Sequence, residues 1–207
     1  MSLLRAFIAL EIPPKIQHAI HQATSKLRGE TESLVRWVQP ENVHLTLKFL
    51  GDISPASVDT LTQMLRAEAD SCSTFDIHIA GLASFPSPKR PRVIYIRIQA
   101  PAGLEALHHG IESATRRLGY ESKERDFSPH LTIGRVKQNI SAVEGQKIRQ
   151  ALEATKIDSL GTARVDSVHL YKSDLKPTGA VYTKLYSAPL QFVIASDPPR
   201  GEQSNLN

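Results

Sequence analysis

Two copies of one short pattern place the same reactive side chains in both parts of the chain. His-Leu-Thr-Leu occupies His44 to Leu47, and His-Leu-Thr-Ile occupies His130 to Ile133. Composition counting gives about 0.08 chance matches to a His-apolar-Thr-apolar pattern. An imidazole with a pKa of about 6.5 can take up or release a proton at neutral pH, and a threonine hydroxyl can bind an anion. The duplicated pattern therefore predicts acid-base chemistry at an anionic group.

The spacing within each motif is that of a β-strand. Successive side chains of a strand point to opposite faces, so His44 and Thr46 share one face, as do His130 and Thr132, and the aliphatic residues face the core. If a pseudo-twofold axis relates the copies, the two His-Thr pairs confront one another across a groove. In-line displacement at phosphorus needs a base for the attacking oxygen and an acid for the leaving oxygen. Two facing histidines can supply both, and this chemistry requires no metal or other cofactor.

Strands and helices alternate around the motifs. Hydrophobic periodicity predicts strands over 3–12, 43–50, 75–85, 93–98, 130–136, 164–171 and 180–186. It predicts helices over 15–28, 54–72, 104–118 and 141–155, the last opened by a capping box of Ser141 and Glu144. A spacing of about 87 residues recurs, and it relates Phe7 to Ile94, His44 to His130 and Val93 to Val181.

This organisation predicts an α+β fold of two pseudo-symmetric lobes. Each lobe is expected to hold an antiparallel sheet with helices on its outer face, and the active groove lies between the lobes. Residues 1–195 form one bilobal domain in this interpretation. Residues 196–207 carry two prolines and no aliphatic stripe, and we expect a flexible tail there.

Composition restricts the class of protein. The chain has 207 residues, 41% hydrophobic content and a formal net charge of +4, which are values of an ordinary globular protein and exclude disorder, collagen and coiled coil. Cys72 is the only cysteine, so no intramolecular disulfide can form. Because nothing in the sequence requires an oxidising compartment, we expect a cytoplasmic protein. Because no apolar run approaches membrane-spanning length, we expect no membrane association. A monomer without an obligate protein partner is the default expectation.

The histidines also allow interpretations other than acid-base catalysis. A lone histidine on a strand is more often structural, but duplication favours function. Metal ligation lacks acidic partners at a known spacing, since His18, His21, His108 and His109 fall in predicted helices. No Gly-x-Ser-x-Gly elbow is present to support a serine nucleophile.

The motifs and their flanks resemble one known family. The paired His-x-Thr-x motifs resemble those of the 2H phosphoesterase superfamily. Longer segments resemble one branch of that superfamily, the RNA 2',3'-cyclic phosphodiesterases, also called 2'-5' RNA ligase-like. These segments are Arg36 to Val38, His44 to Gly51, Phe85 to Pro88 and Pro129 to Ile133. The likeness runs from about Leu3 to Gln191.

The resemblance implies a substrate class and a role for each motif residue. The substrate would be an RNA end or nucleotide bearing a 2',3'-cyclic phosphate, opened to a 2'-phosphate without metal. His44 would protonate the 3' leaving oxygen as proton donor, and His130 would activate water as proton acceptor. Thr46 and Thr132 would hold phosphate oxygens, and Arg135 would assist.

Strand alternation and the resemblance disagree about the cation that binds phosphate. Simple alternation from His130 turns Arg135 away from the groove, unless Gly134 marks a bulge or the end of the strand. Alternation from His44 favours Lys48 instead, because Lys48 would share the face of His44 and Thr46. Both Arg135 and Lys48 are therefore candidate phosphate ligands.

Two other functions stay open at the level of sequence. One is 2'-5' ligation of RNA ends at the same site, with a 5'-hydroxyl in place of water. The other is a non-catalytic module that binds RNA or nucleotides in the groove. Intact His-Thr pairs argue against the second, since anion binding alone would tolerate Lys or Arg where proton transfer needs imidazole.

Overall fold

The computed structural model describes residues 2–121, 126–176 and 179–192. It contains nine strands: β1 (Leu4–Glu11), β2 (Val35–Trp37), β3 (His44–Ile53), β4 (Phe75–Phe85), β5 (Val93–Gln99), β6 (His130–Val136), β7 (Ser159–Val165), β8 (Ser167–Lys176) and β9 (Gly179–Pro189). Five helices accompany them: α1 (Pro14–Ala23), α2 (Ser25–Thr31), α3 (Val58–Asp70), α4 (Ala102–Arg117) and α5 (Ala142–Ala154). Short 3-10 turns, Pro40–Asn42 and Pro55–Ser57, precede β3 and α3. The predicted tail, 196–207, lies outside the described residues.

The strands form one antiparallel sheet whose two halves meet at the motifs. The order is β7-β4-β5-β6-β3-β1-β8-β9, and β2 pairs with β6 beside this path. In the described residues, β3 and β6 are joined through one pair, Leu45 with Leu131. The predicted α+β fold is confirmed, while the two predicted sheets are halves of a single one. We call them the His44 half (β3, β1, β8, β9) and the His130 half (β6, β5, β4, β7).

Strand register relates the two halves at an offset of 86 residues. Ala9 pairs with Thr46 and Phe7 with Phe49 in the His44 half. In the His130 half, Tyr95 pairs with Thr132 and Val93 with Arg135. Positions 7, 9, 46 and 49 thus correspond to 93, 95, 132 and 135. The predicted repeat also related Val93 to Val181, but these residues do not lie in equivalent strands, because β5 lies inside the sheet and β9 at its edge.

Two of the helices, α1 and α4, cross between the halves. Helix α1 follows β1 of the His44 half but contacts β7 of the His130 half, and α4 follows β5 but contacts β3. Large aliphatic side chains under these helices are fully buried, among them Ile8, Leu10, Leu45, Ile94, Ile96 and Leu131. The main core therefore lies on the helix face of the sheet and leaves the opposite face to form the groove.

Several element boundaries differ from the prediction. The predicted helix over 15–28 is two helices that meet at Thr24, whose hydroxyl donates to the Ile20 carbonyl at 2.8 Å. The predicted strand over 164–171 is the end of β7 and the start of β8, separated by Asp166. The three-residue β2 was not predicted. The capping box of Ser141 and Glu144 is confirmed. No helix among the described residues has the length and apolarity needed to cross a membrane.

Candidate active site

The two motifs surround the pair that joins the halves. Leu45 and Leu131 are buried on the helix face, and the alternation of a strand places the flanking His and Thr residues on the other face. Because the strands are antiparallel, His44 lies towards Thr132 and Thr46 towards His130. All four side chains are half-buried. The structure thus brings the four predicted motif residues together about one local pseudo-twofold axis.

Each histidine is held by the same backbone contact. Nδ1 of His44 lies 2.7 Å from the Asn42 carbonyl, and Nδ1 of His130 lies 2.7 Å from the Ser128 carbonyl. A carbonyl oxygen only accepts, so Nδ1 donates in both rings. In the neutral imidazole the lone pair then belongs to Nε2, which is the nitrogen left for proton transfer. The same tautomer is fixed twice.

Aromatic rings flank both histidines, and none of these rings was predicted as a site residue. His44 contacts Phe7 and Tyr182, with ring centroids 4.9 and 5.1 Å away. His130 contacts Phe85 and Tyr95 at 5.0 and 5.2 Å. The positions of β1 and β5 that lie beside the motifs follow from the pairing of β1 with β3 and of β5 with β6. That register is not evident from the sequence, so the rings could not be identified there.

A β-bulge follows each motif and decides where the candidate cations point. Between the pairs Ala9–Thr46 and Ile8–Lys48, Leu47 is the extra residue. Ile133 is the extra residue between Tyr95–Thr132 and Ile94–Gly134. One extra residue reverses the alternation beyond it. The bulge considered for Gly134 is therefore present, and it has a counterpart at the equivalent place in β3.

Arg135 lies on the groove face because of this bulge. It is exposed, whereas Ile133, Gly134 and Val136 are buried. Its positive charge acts on two groups of the His44 half. Burial lowers the pKa of His44 below its usual value, the backbone hydrogen bond to Asn42 opposes this, and Arg135 lowers the pKa further. Burial raises the pKa of Tyr182, and Arg135 opposes that rise. The guanidinium is thus placed to act across the groove.

Lys48 lies on the opposite face, so the prediction that it shares the face of His44 and Thr46 is wrong. The bulge at Leu47 turns Lys48 towards α4, and its side chain is only 6% exposed. The ammonium donates to Glu112 Oε1 at 2.6 Å and to the Glu121 carbonyl at 2.7 Å. Lys48 is a structural cation beneath the sheet.

Phe49 occupies the position that corresponds to Arg135. It is the fifth residue after His44, as Arg135 is the fifth after His130, and its side chain is 57% exposed. Phe49 lies beside Phe7, with ring centroids 6.2 Å apart. The duplicated site is therefore symmetric in its His and Thr residues but offers a cation on one half and an aromatic surface on the other.

A cavity of about 540 Å³ opens beside His44. Its lining includes Phe7, Tyr171 and Tyr182 together with a polar cluster around Glu11. Although burial alone would raise the pKa of Glu11, hydrogen bonds from Lys184 and Tyr171 hold it below its usual value. Within the described residues, no group of three His, Cys, Asp or Glu side chains is placed to hold a metal ion.

Comparison with known proteins identifies a family and several relatives. Residues 12–177 match the sequence model of the 2'-5' RNA ligase superfamily. A Methanothermobacter thermautotrophicus protein named RNA 2',3'-cyclic phosphodiesterase is 29% identical over 182 residues, which cover 88% of this chain and 96% of that protein. A Methanocaldococcus jannaschii protein of the same name is 32% identical over 181 residues, with coverage of 86% and 96%.

Solved structures of similar proteins share the fold. The crystal structure of TT0787 from Thermus thermophilus superposes with a TM-score of 0.76 at 25% identity and covers 90% of this chain and 97% of that one. The crystal structure of Escherichia coli LigT complexed with 3'-AMP gives a TM-score of 0.71 at 25% identity, with coverage of 91% and 98%.

Proposed function

Because this chain belongs to the 2'-5' RNA ligase superfamily, we propose that it is an RNA 2',3'-cyclic phosphodiesterase that opens the cyclic phosphate to a 2'-phosphate. The observation that carries the proposal is the paired arrangement of His44 and His130, each with Nδ1 donating to a backbone carbonyl. Proteins named for this activity in several organisms support it. A cytoplasmic location stays a prediction.

The reaction needs one proton removed and one delivered. Nε2 of His130 accepts a proton from water as the water oxygen attacks phosphorus. The bond between phosphorus and O3' breaks on the opposite side, and protonated His44 delivers its proton to O3'. One water is consumed, and the product is a 2'-phosphomonoester. Thr46, Thr132 and Arg135 bind the phosphate oxygens and stabilise the charge that develops on them.

The metal-free character of this mechanism rests on the imidazoles. Each supplies a ring nitrogen that can accept or donate a proton, so neither proton transfer calls on a metal-bound water. In this proposal the guanidinium supplies one positive charge and the two hydroxyls supply hydrogen bonds to the phosphate oxygens, so the mechanism does not call on a Lewis acid.

Assigning the acid to His44 places the ribose on the His44 half. The leaving O3' stays attached to the ribose, so the terminal nucleoside follows it to that side of the groove. Phe49 offers an exposed ring there, and bases stack on aromatic side chains. This placement gives a reason why the position corresponding to Arg135 holds an aromatic residue.

The test is the identity of the product. The purified protein is incubated, with EDTA present, with an oligoribonucleotide ending in a 2',3'-cyclic phosphate, and the new phosphomonoester is identified. The proposal expects a 2'-phosphate. A 3'-phosphate would contradict the assigned leaving group, joined RNA ends without hydrolysis would indicate ligation, and activity that EDTA abolishes would contradict the metal-free mechanism.

A further inference from the structure

A second cluster of cations adjoins Arg135 outside the His-Thr motifs. Arg36 of β2 pairs directly with Arg135 of β6, and directly opposed residues of an antiparallel pair project from the same face. Both are exposed. Arg36 therefore extends the cationic surface of the groove by one strand beyond the residue that acts on His44.

The turn between β4 and β5 brings three more cations to this edge. Val93 pairs with Arg135, and the Arg92 carbonyl accepts from the Val136 backbone N–H at 2.9 Å. Lys89, Arg90 and Arg92 are all exposed on this turn. We name Arg36, Lys89, Arg90 and Arg92 the cationic track.

Carboxylates are missing from the chain segments that form this edge. Residues 33–40, 85–97 and 128–138 contain no Asp or Glu. Among the described ion pairs, none involves a residue of the track. Elsewhere on the protein, Arg66 and Arg149 each face a carboxylate one helical turn away. Within the part of the chain that the structure describes, the cations of the track are thus not neutralised by these segments or by any ion pair.

The cavity beside His44 has a different character. Glu11, Glu41 and Asp166 are among its lining residues, alongside Arg164 and Lys184. A phosphodiester chain is repelled by carboxylates and is attracted by unopposed cations, which release its counterions on binding. The upstream RNA backbone continues from O5' of the terminal nucleoside, and we expect it to run from there to the unopposed cations of the track and not into the cavity with its carboxylates.

We propose that the cationic track binds the phosphodiesters upstream of the reacting end, so that the preferred substrate is an oligoribonucleotide rather than a mononucleotide. This inference rests on the proposed function. The reacting phosphate is held by the motifs and Arg135, and the track contacts only the chain that a mononucleotide lacks. Binding is backbone-directed and does not depend on base sequence.

The experiment compares two substrates with the same terminal nucleotide. One is uridine 2',3'-cyclic phosphate, and the other is a hexaribonucleotide ending in that group. Arg36→Gln and the double variant Arg90→Gln/Arg92→Gln remove track charges. Arg66→Gln on α3 removes the same charge from a remote exposed site and serves as the matched control.

The track variants should affect the hexamer and the mononucleotide differently. Each track charge removed lowers kcat/KM for the hexamer roughly 3- to 10-fold at low salt, and it reduces the slope of log kcat/KM against log salt by about 0.7. The mononucleotide should stay within roughly 2-fold of wild type, and Arg66→Gln should change neither substrate. Equal losses on both substrates, or an equal loss in Arg66→Gln, would overturn the inference.

A binding measurement keeps this inference separate from the proposed function. Fluorescence anisotropy of a labelled hexamer ending in a 2'-phosphate reports affinity without turnover. Track variants should bind it more weakly than wild type and Arg66→Gln. If the track variants bind the hexamer as tightly as wild type does, the proposed role of the cationic track would be overturned, whatever the activity of the variants. Failure of wild type to hydrolyse either substrate would instead contradict the proposed function.

Discussion

The two motif histidines share a hydrogen-bond geometry but not an electrostatic environment. Burial and the charge of Arg135 lower the pKa of His44, against the opposing effect of its bond to Asn42. A general acid must be protonated to act, so in the free enzyme the alkaline limb of the pH profile should lie below the usual imidazole value of about 6.5. Substrate phosphate, as an anion, would favour the protonated form and counter this effect.

Replacing Arg135 therefore has a directional effect on the pH profile. In Arg135→Gln the cation that disfavours protonated His44 is gone, so the pKa of His44 rises and the alkaline limb of kcat/KM moves to higher pH. The loss of a charge-assisted phosphate contact also lowers kcat/KM by roughly 10-fold or more.

The measurement is kcat/KM across the acid-to-alkaline range for wild type and Arg135→Gln on the cyclic mononucleotide. An unchanged alkaline limb would show that Arg135 does not act on His44. If the acidic limb moved instead, His44 would be the proton acceptor and His130 the proton donor, which is the reverse of the assigned roles.

Lys48 carries a second prediction at this scale. Removing one member of a buried ion pair costs roughly 3 kcal/mol, whereas replacing both by apolar groups costs much less. Lys48→Met should therefore lower the free energy of unfolding by about that amount, and Lys48→Met/Glu112→Leu should recover part of it. Urea unfolding checks stability, and kcat/KM of the folded protein should remain within roughly 3-fold of wild type. A large loss of phosphate affinity at unchanged stability would restore Lys48 as a ligand.

At the scale of elements, the bulges determine which residues reach the groove. Strand alternation correctly predicted the face of His44, Thr46, His130 and Thr132, because these residues precede the bulge in each strand. It was wrong for Lys48 and left Arg135 undecided, because one unpaired residue reverses the pattern and leaves little trace in the sequence. The family resemblance favoured Arg135, and Gly134 was the one residue that pointed to an irregularity.

The residue that follows the bulge differs between the two halves. Gly134 corresponds to Lys48 at the 86-residue offset, and each suits what packs over it. β2 lies against Gly134 so closely that an added Cβ would stand 2.8 Å from Val35 Cγ1 and 2.9 Å from Trp37 Cε3. Lys48 has Glu112 of α4 above it instead.

Gly134→Ala should therefore displace β2 and with it Arg36 and Arg135. Overpacking of this kind costs about 1–3 kcal/mol, and we expect a matching fall in urea stability with a loss of kcat/KM. Gly29→Ala is the control, because its Cβ would meet nothing within 4 Å in α2 and should raise helix stability by up to about 1 kcal/mol. Trp37 fluorescence reports both transitions. Equal stability of Gly134→Ala and wild type would contradict the close packing of β2.

At the scale of the whole molecule, the fold is an interleaved duplication. The repeated motif could be predicted from sequence because His44 and His130 recur with the same neighbours. The crossing of α1 and α4 between the halves, the short β2 and the pairing of β8 with β1 could not be predicted, since they depend on contacts between residues far apart in the chain. The interleaving brings Arg36 of β2, from the first part of the chain, beside Arg135 of the second, and the proposed binding of RNA along the track depends on this contact.

The measurement that tests the central claim most directly is turnover by single histidine variants. Wild type, His44→Ala and His130→Ala are assayed with EDTA on an oligoribonucleotide ending in a 2',3'-cyclic phosphate, with His78→Ala, a strand histidine of β4 outside the site, as the control. We predict a 2'-phosphate from wild type and the control, and losses of roughly 10²- to 10⁴-fold in both motif variants while RNA binding is largely kept. Near-wild-type turnover in either motif variant would contradict paired acid-base catalysis.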